Sequence, residues 1–261
     1  MIRLSNSASA RALGLFLLAG CASCSKSASD PSPKANASNA SDPPVAAAAS
    51  ATTPASVASS PPASHMKDYA APAPDRLGVL APGTGVAVGQ RVPNVSALDL
   101  DGKHVSLAEL YERGPNLLAF YRGGWCPYCN TEIHALTQAY PEYRKRGVTP
   151  VAISVDKPEE GVKLKASYVI PFPVLSDSDA KSLDAFHLVK KVSDEEAAKM
   201  KSFGVDLEAF SGKTHHEIAI PALFVIDRTG TVRFAHSDPD FKVRPTTAQL
   251  LTAIDALKLQ P

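Results

Sequence analysis

Ten residues, Tyr121-Arg122-Gly123-Gly124-Trp125-Cys126-Pro127-Tyr128-Cys129-Asn130, constrain this chain more than any other stretch. The apolar run 116–120 leads into them and predicts a short buried strand. Behind them Ile133, Leu136, Tyr140 and Tyr143 recur at spacings of three and four, which predicts a helix with one apolar face. The two cysteines therefore fall where a strand turns into a helix, and Gly123-Gly124 allow the sharp turn. A helix N-terminus offers unpaired N–H groups and a partial positive charge, both of which favour a thiolate. Cys126 falls at about the N-cap and Pro127 at the first helical position, where no N–H is needed. Cys129 lies one turn further in and more shielded. This predicts a redox pair in which Cys126 attacks and Cys129 resolves. A structural disulfide is the plainer alternative. A four-cysteine zinc site would need a second pair, and the other cysteines, Cys21 and Cys24, lie near the N-terminus.

Residues 1–20 have the pattern of an export signal: Arg3 and Arg11, then a short apolar core from Leu13 to Ala19. The core is too short to span a bilayer. Leu18-Ala19-Gly20-Cys21 resembles the lipobox of bacterial lipoproteins, which implies cleavage before Cys21, lipid on that cysteine, and an exported protein held at the cell envelope. On that reading Cys21 is a lipidation site and not a redox residue; Ala22, rather than Asp, resembles the pattern sent to the outer membrane where the bacterium has one. No role is assigned to Cys24. Residues 25–64 are mostly Ala, Ser and Pro, with no aromatic, Leu or Ile. Such a stretch buries too little to offset its ordering entropy. We expect an unfolded tether over 21–84, with a reach of roughly 45 Å, holding a soluble domain off a membrane.

Residues 85–261 suffice for one domain. The net charge of +1 gives no basis for nucleic-acid binding, and neither a phosphate-binding glycine loop nor a dinucleotide fingerprint is present. The pattern predicts a hairpin around Asp101-Gly102, a helical turn at 107–111, a strand at 116–120 and the redox helix over 127–146, kinked at Pro141. It continues with a strand at 148–155, a helix at 158–168, an extended piece at 172–175 and a short helix at 178–186. A helix over 193–210 anchored by Met200 and Phe203 follows. The chain ends with strands at 222–226 and 231–236 and a helix at 246–257. Alternating strands and helices followed by a hairpin predict an α/β sandwich with a mixed sheet.

A WCxxC at a strand–helix junction, a kinked helix after it and Ile220-Pro221 entering a late strand resemble the thioredoxin fold. That resemblance implies a three-layer sandwich in which Pro221 is cis and faces the cysteines. More narrowly, Phe120 to Asn130 resembles a peroxiredoxin-like branch of the alkyl hydroperoxide reductase and thiol-specific antioxidant family. Val88 to Leu107, Phe224-Val225-Ile226-Asp227 and Phe234-Ala235-His236 resemble it as well. The resemblance covers about 85–258. It implies hydroperoxide reduction at Cys126, a disulfide with Cys129, recycling by a thioredoxin-like dithiol, and no cofactor. Three positions depart from the family pattern. Ala119 and Gly123 stand where a Pro and a Thr or Ser precede the attacking cysteine, and Pro221 stands where an Arg is brought to the thiolate. Arg122 is read either as a substitute for that charge or as a solvated surface arginine. Trp125 is expected to cover the pair and Tyr128 to tune the loop. Two rival readings remain. One is a disulfide reductase of exported proteins using the same cysteines. The other is a copper carrier in which His215 or His216 completes a thiolate site.

Overall fold

The computed structural model describes residues 66–259. The central strand β3 (Asn116–Phe120) is buried along its whole length. Its side chains alternate between two cores. Leu118 and Phe120 face one layer with Phe186, Leu183 and Leu107. Leu117 and Ala119, with Tyr121 just beyond, face the other, with Ile133, Leu136, Tyr143, Leu250 and Ile254. A strand covered on both faces reads as a continuous apolar run rather than an alternating one, which is why 116–120 was readable.

Around β3 the strands β1 (Ser96–Leu98), β2 (His104–Ser106), β4 (Thr149–Ser154), β5 (Val174–Ser176), β8 (Ala222–Ile226) and β9 (Val232–Ser237) complete a seven-stranded sheet. Its order is β2-β1-β5-β4-β3-β8-β9. β3, β4 and β5 run parallel, while β8 is antiparallel to β3 and β9 to β8. The helices α1 (Leu107–Glu112) and α5 (Lys181–Ala185) cover one face. On the other lie α2 (Pro127–Gln138), α3 (Tyr140–Lys145), α4 (Pro158–Tyr168) and α8 (Thr247–Leu257). This is the expected mixed α/β sandwich.

Four expectations need correction. The redox helix does not kink but breaks: Ala139 ends α2 and begins α3, because Pro141 in the second position of α3 has no N–H with which to continue the ladder. The single helix over 193–210 is two, α6 (Asp194–Ser202) and α7 (Leu207–Ser211). Gly204, at φ 87°, stops the first, and the Asp206 carboxylate restarts the second by accepting from the Ala209 N–H. Met200 packs on a small third core, but Phe203 is 76% exposed and anchors nothing. Two strands went unseen, β6 (Val189–Lys191) and β7 (Glu217–Ala219), which pair with each other and bracket α6 and α7.

The last correction is the start of the folded body. Residues 66–84 belong to it rather than to the tether. Ala70 bridges Val243, Ser237 N–H donates to the Val79 carbonyl, Ala81 N–H donates to Ser237 Oγ, and Ala81 is buried. Their Ala- and Pro-rich composition looks like tether, but their backbone groups are satisfied by β9 and by the loop that follows it. The leader, Cys21, Cys24 and the tether up to residue 65 lie outside the described residues.

Candidate active site

Tyr121 extends the β3 pairing by donating to the Ile153 carbonyl at 3.0 Å, and the chain then leaves the sheet. Gly123 has φ 151°. A Cβ there would lie 2.3 Å from Trp125 Nε1 and 2.8 Å from Asp156 Oδ1. The hydroxyl side chain that the resemblance places at this position has no room; the indole and a carboxylate occupy the space. The loop closes when Cys126 N–H donates to the Gly123 carbonyl at 3.0 Å. Asn130 Nδ2 donates to the Gly124 carbonyl at 2.9 Å, tying the loop to α2.

Cys126 is the N-cap of α2 in extended conformation, with Pro127 following. Both thiols are free, and Cys129 Sγ donates to Cys126 Sγ at 2.8 Å. That hydrogen bond is the main reason the Cys126 thiol falls from 9.0 to about 6. Burial opposes it; the Cys129 backbone N–H and the Arg122 and Arg244 guanidinium groups assist it. Cys129 goes the other way. Burial pushes it well above the ordinary thiol range, and its role as donor to Cys126 pushes it further. Both shifts favour the thiolate at Cys126 over one at Cys129, and the largest cause is the hydrogen bond between the two sulfurs rather than the helix terminus. Cys126 is only 1% exposed and Cys129 is fully buried.

Arg122 is not a solvated surface residue. Its guanidinium lies 5.0 Å from the Trp125 ring centroid and 4.2 Å from that of Phe241, stacked on two aromatic faces beside the thiolate. Tyr128 packs edge-on to the same Phe241 at 5.6 Å. The register Phe120↔Ala222 puts Pro221, one residue earlier, beside Tyr121 at the end of the sheet where the redox loop begins. His215 and His216 are engaged elsewhere. His215 Nδ1 accepts from the Glu217 N–H, so Nε2 carries the proton and donates to the Ser178 carbonyl. His216 faces Asp194 through Nδ1 and Glu208 through Nε2. The imidazoles needed for a copper site are thus occupied, and among the described residues no group of three His, Cys, Asp or Glu is arranged to hold a metal ion.

Three charged residues at the site escaped the reading of the sequence. Arg244, in the loop before α8, is 3% exposed, and its Nε donates to Glu132 Oε2 at 3.2 Å. Burial alone would make this guanidinium easier to deprotonate, but Glu132 and the two sulfurs hold the charge on it. Glu132 sits on α2 one turn beyond Cys129 and is itself buried. Asp156, just past the end of β4, accepts from the Gly124 N–H at 2.6 Å through Oδ2; its Oδ1 has no hydrogen-bond partner among the described residues. Burial raises Asp156 from 3.8 to about 7, against the pull of the Gly124 N–H. Glu132 could have been found as a charge on the apolar stripe of a helix. Asp156 follows the end of a parallel strand next to β3, where sites in open α/β sheets gather. Arg244 lies 112 residues from Glu132 and has no sequence signal.

Residues 88–235, more than half of the chain, match the model of the AhpC/TSA family. The chain belongs to that family. Among curated relatives it is 31% identical to the thiol-disulfide oxidoreductase ResA of Bacillus cereus over 100 residues, which is 38% of this chain and 57% of that protein. To ResA of Bacillus subtilis it is 30% identical over 109 residues, 41% of this chain and 60% of that protein. It thus spans less than two thirds of the curated relatives it matches first. Among solved structures, peroxidoxin BcpB of Mycobacterium tuberculosis superposes with a TM-score of 0.52 at 20% identity, covering 66% of this chain and 96% of that one. Reduced Prx3 of Vibrio vulnificus, in complex with hydrogen peroxide, gives 0.54 at 18%, covering 65% and 99%. These likenesses show a shared thioredoxin-like fold.

Proposed function

We propose that this AhpC/TSA-family protein reduces hydroperoxides through Cys126 and Cys129. The observation that carries the reading is a Cys126 sulfur that is only 1% exposed and accepts from the neighbouring Cys129 thiol, with the Arg122 and Arg244 charges favouring its thiolate. A hydroperoxide needs little more than a channel for two oxygen atoms, and positive charge favours the oxyanion that leaves. The Cys126 thiolate attacks the outer peroxide oxygen, the O–O bond breaks, and Cys126 becomes a sulfenic acid as the alkoxide leaves and takes up a proton. Cys129 Sγ then attacks Cys126 Sγ; the S–S bond forms and the sulfenic oxygen leaves as water with the Cys129 proton. An external dithiol of thioredoxin type restores both thiols by exchange, itself becoming a disulfide. Arg122 and Arg244 stabilise the thiolate and the departing oxygen, and no cofactor takes part. Stopped-flow mixing of the reduced protein with hydrogen peroxide tests this. A reaction no faster than that of free cysteine would overturn it.

A second reading, thiol–disulfide exchange with exported proteins, is favoured by the similarity to the ResA proteins, whose name states that activity. Rapid reduction of insulin together with slow peroxide consumption would select it. We also propose that the mature chain begins at lipidated Cys21 and that the Ala/Ser/Pro-rich stretch after it holds the domain at the cell envelope. The lipobox-like Leu18-Ala19-Gly20-Cys21 supports this. Mass spectrometry of the N-terminal peptide from the membrane fraction should find a diacyl or triacyl cysteine; an unmodified Cys21 would refute it.

A further inference from the structure

Every step of this cycle needs access to sulfurs that are buried, and regeneration needs a protein-sized dithiol to reach them. Residues 66–70 cross the N-terminus of α2. Lys67 N–H donates to the Pro127 carbonyl at 3.3 Å and lies 3.1 Å from Thr131 Oγ1, which in turn donates to the Lys67 carbonyl at 2.7 Å. Three residues on, Ala70 N–H donates to the Lys242 carbonyl at 2.9 Å, and Arg244 N–H donates to the Ala70 carbonyl at 2.8 Å. The same few residues thus fasten the loop that carries Phe241, stacked on Arg122, and Arg244, paired with Glu132. Tyr69 is seated among these groups: burial and the Glu132 charge push its phenol up to about 12.

This fastening is slight. It consists of a few hydrogen bonds, those at Lys67 exposed, together with the half-buried Met66 and Tyr69 side chains; each bond is of small net worth, set against the entropy of ordering a short segment. Segments held in this way open locally without unfolding the domain. We propose that residues 66–70 are a strap that decides which substrates reach Cys126: closed, it admits small hydroperoxides and keeps protein disulfides and dithiols out; lifted, it exposes the pair to the dithiol that regenerates it. The hydroperoxide half of this statement rests on the peroxidase reading above, whereas the gating by size does not.

The test uses the reduced full-length chain and two alkylating probes of Cys126, iodoacetamide and a polymer-bearing maleimide. Thr131→Val removes one anchor of the strap, and Lys67→Pro added to it removes the donor as well. The ratio of bulky to small reagent rates should rise about tenfold in the double variant, as expected when a local opening equilibrium is relieved, with a smaller rise in Thr131→Val alone. Using the ratio cancels any change in the intrinsic reactivity of the thiolate. An unchanged ratio overturns the proposal. Should the double variant fail to fold, amide hydrogen exchange in the unmodified chain decides. Slowed exchange at Ala70 and Arg244, by less than the protection of β3, supports a strap that opens on its own, and exchange at the unprotected rate refutes it. A tenfold rise in the ratio alongside sluggish peroxide reaction would sink the peroxidase reading and leave the strap standing.

Discussion

At the scale of single residues, two groups beside the redox loop titrate in opposite senses. The fold lowers the Cys126 thiol from 9.0 to about 6, so it stabilises the thiolate. That contribution is complete above the unfolded thiol's range and is lost as pH falls through about 6. The thiolate absorbance of the reduced protein should therefore titrate with a midpoint near 6. In Cys129→Ser the midpoint should move upward, because the sulfur-held hydrogen bond is its largest cause. The same variant should consume about one equivalent of peroxide and stop at the sulfenic acid, and Cys126→Ser should consume none. Asp156 runs the other way. Raised from 3.8 to about 7, it favours the folded state most below its unfolded value, and that stability is lost as pH rises through about 7. Asp156→Asn cannot ionise, so urea melts should find it more stable than the parent at pH 8 by on the order of 2 kcal/mol, with little difference at pH 4. Equal differences at both pH values would mean that the carboxylate is not the cause. The cysteines were readable because their spacing on a helix start is itself the chemistry. Asp156 and Arg244 were not, because their roles come from strand adjacency and from a loop 112 residues away from Glu132.

At the scale of elements, the distinction lies between apolar residues that the sheet covers and those it does not. Phe186 packs tilted and Phe224 edge-on against Phe120, with ring centroids at 4.9 and 5.9 Å, within one core. Phe203, which the helical period made an anchor, sits past the end of α6 in solvent. Phe203→Ser should change stability by less than about 0.5 kcal/mol, whereas Phe186→Ala should cost about 3–5 kcal/mol through the cavity it leaves. Denaturant midpoints of the two variants would check both. If Phe203→Ser proved the more damaging, the placement of α6 against α7 would be wrong. β3, α4 and β8 were found at their observed bounds because long apolar runs and Pro-led helix starts are strong local signals. β6 and β7 were missed because three-residue strands containing Lys190, Lys191 and Glu217 carry no alternation to read.

At the scale of the whole molecule, the folded body begins earlier than composition suggests, and truncation separates the two boundaries. A fragment starting at residue 85 loses the Ala70–Val243 bridge and the hydrogen bonds that Val79, Ala81 and Thr84 make with Ser237 on β9. β9 is an outer strand of the sheet, and an outer strand stripped of its cover presents unpaired backbone groups to other chains. The same cut removes the buried Ala81 and frees Gln249 Nε2 from the Pro72 carbonyl at the start of α8. A fragment starting at residue 66 keeps all of these. We expect fragment 66–261 to melt within a few degrees of the full chain, because what it lacks makes no contribution readable in its composition. Fragment 85–261 should lose about 2–4 kcal/mol, as several hydrogen bonds and buried side chains go together, and should tend to associate. Thermal melts followed by circular dichroism, with light scattering for association, distinguish the two. Equal melting of both fragments would return residues 66–84 to the tether, and would take with it the reason for Arg244 being held beside the thiols.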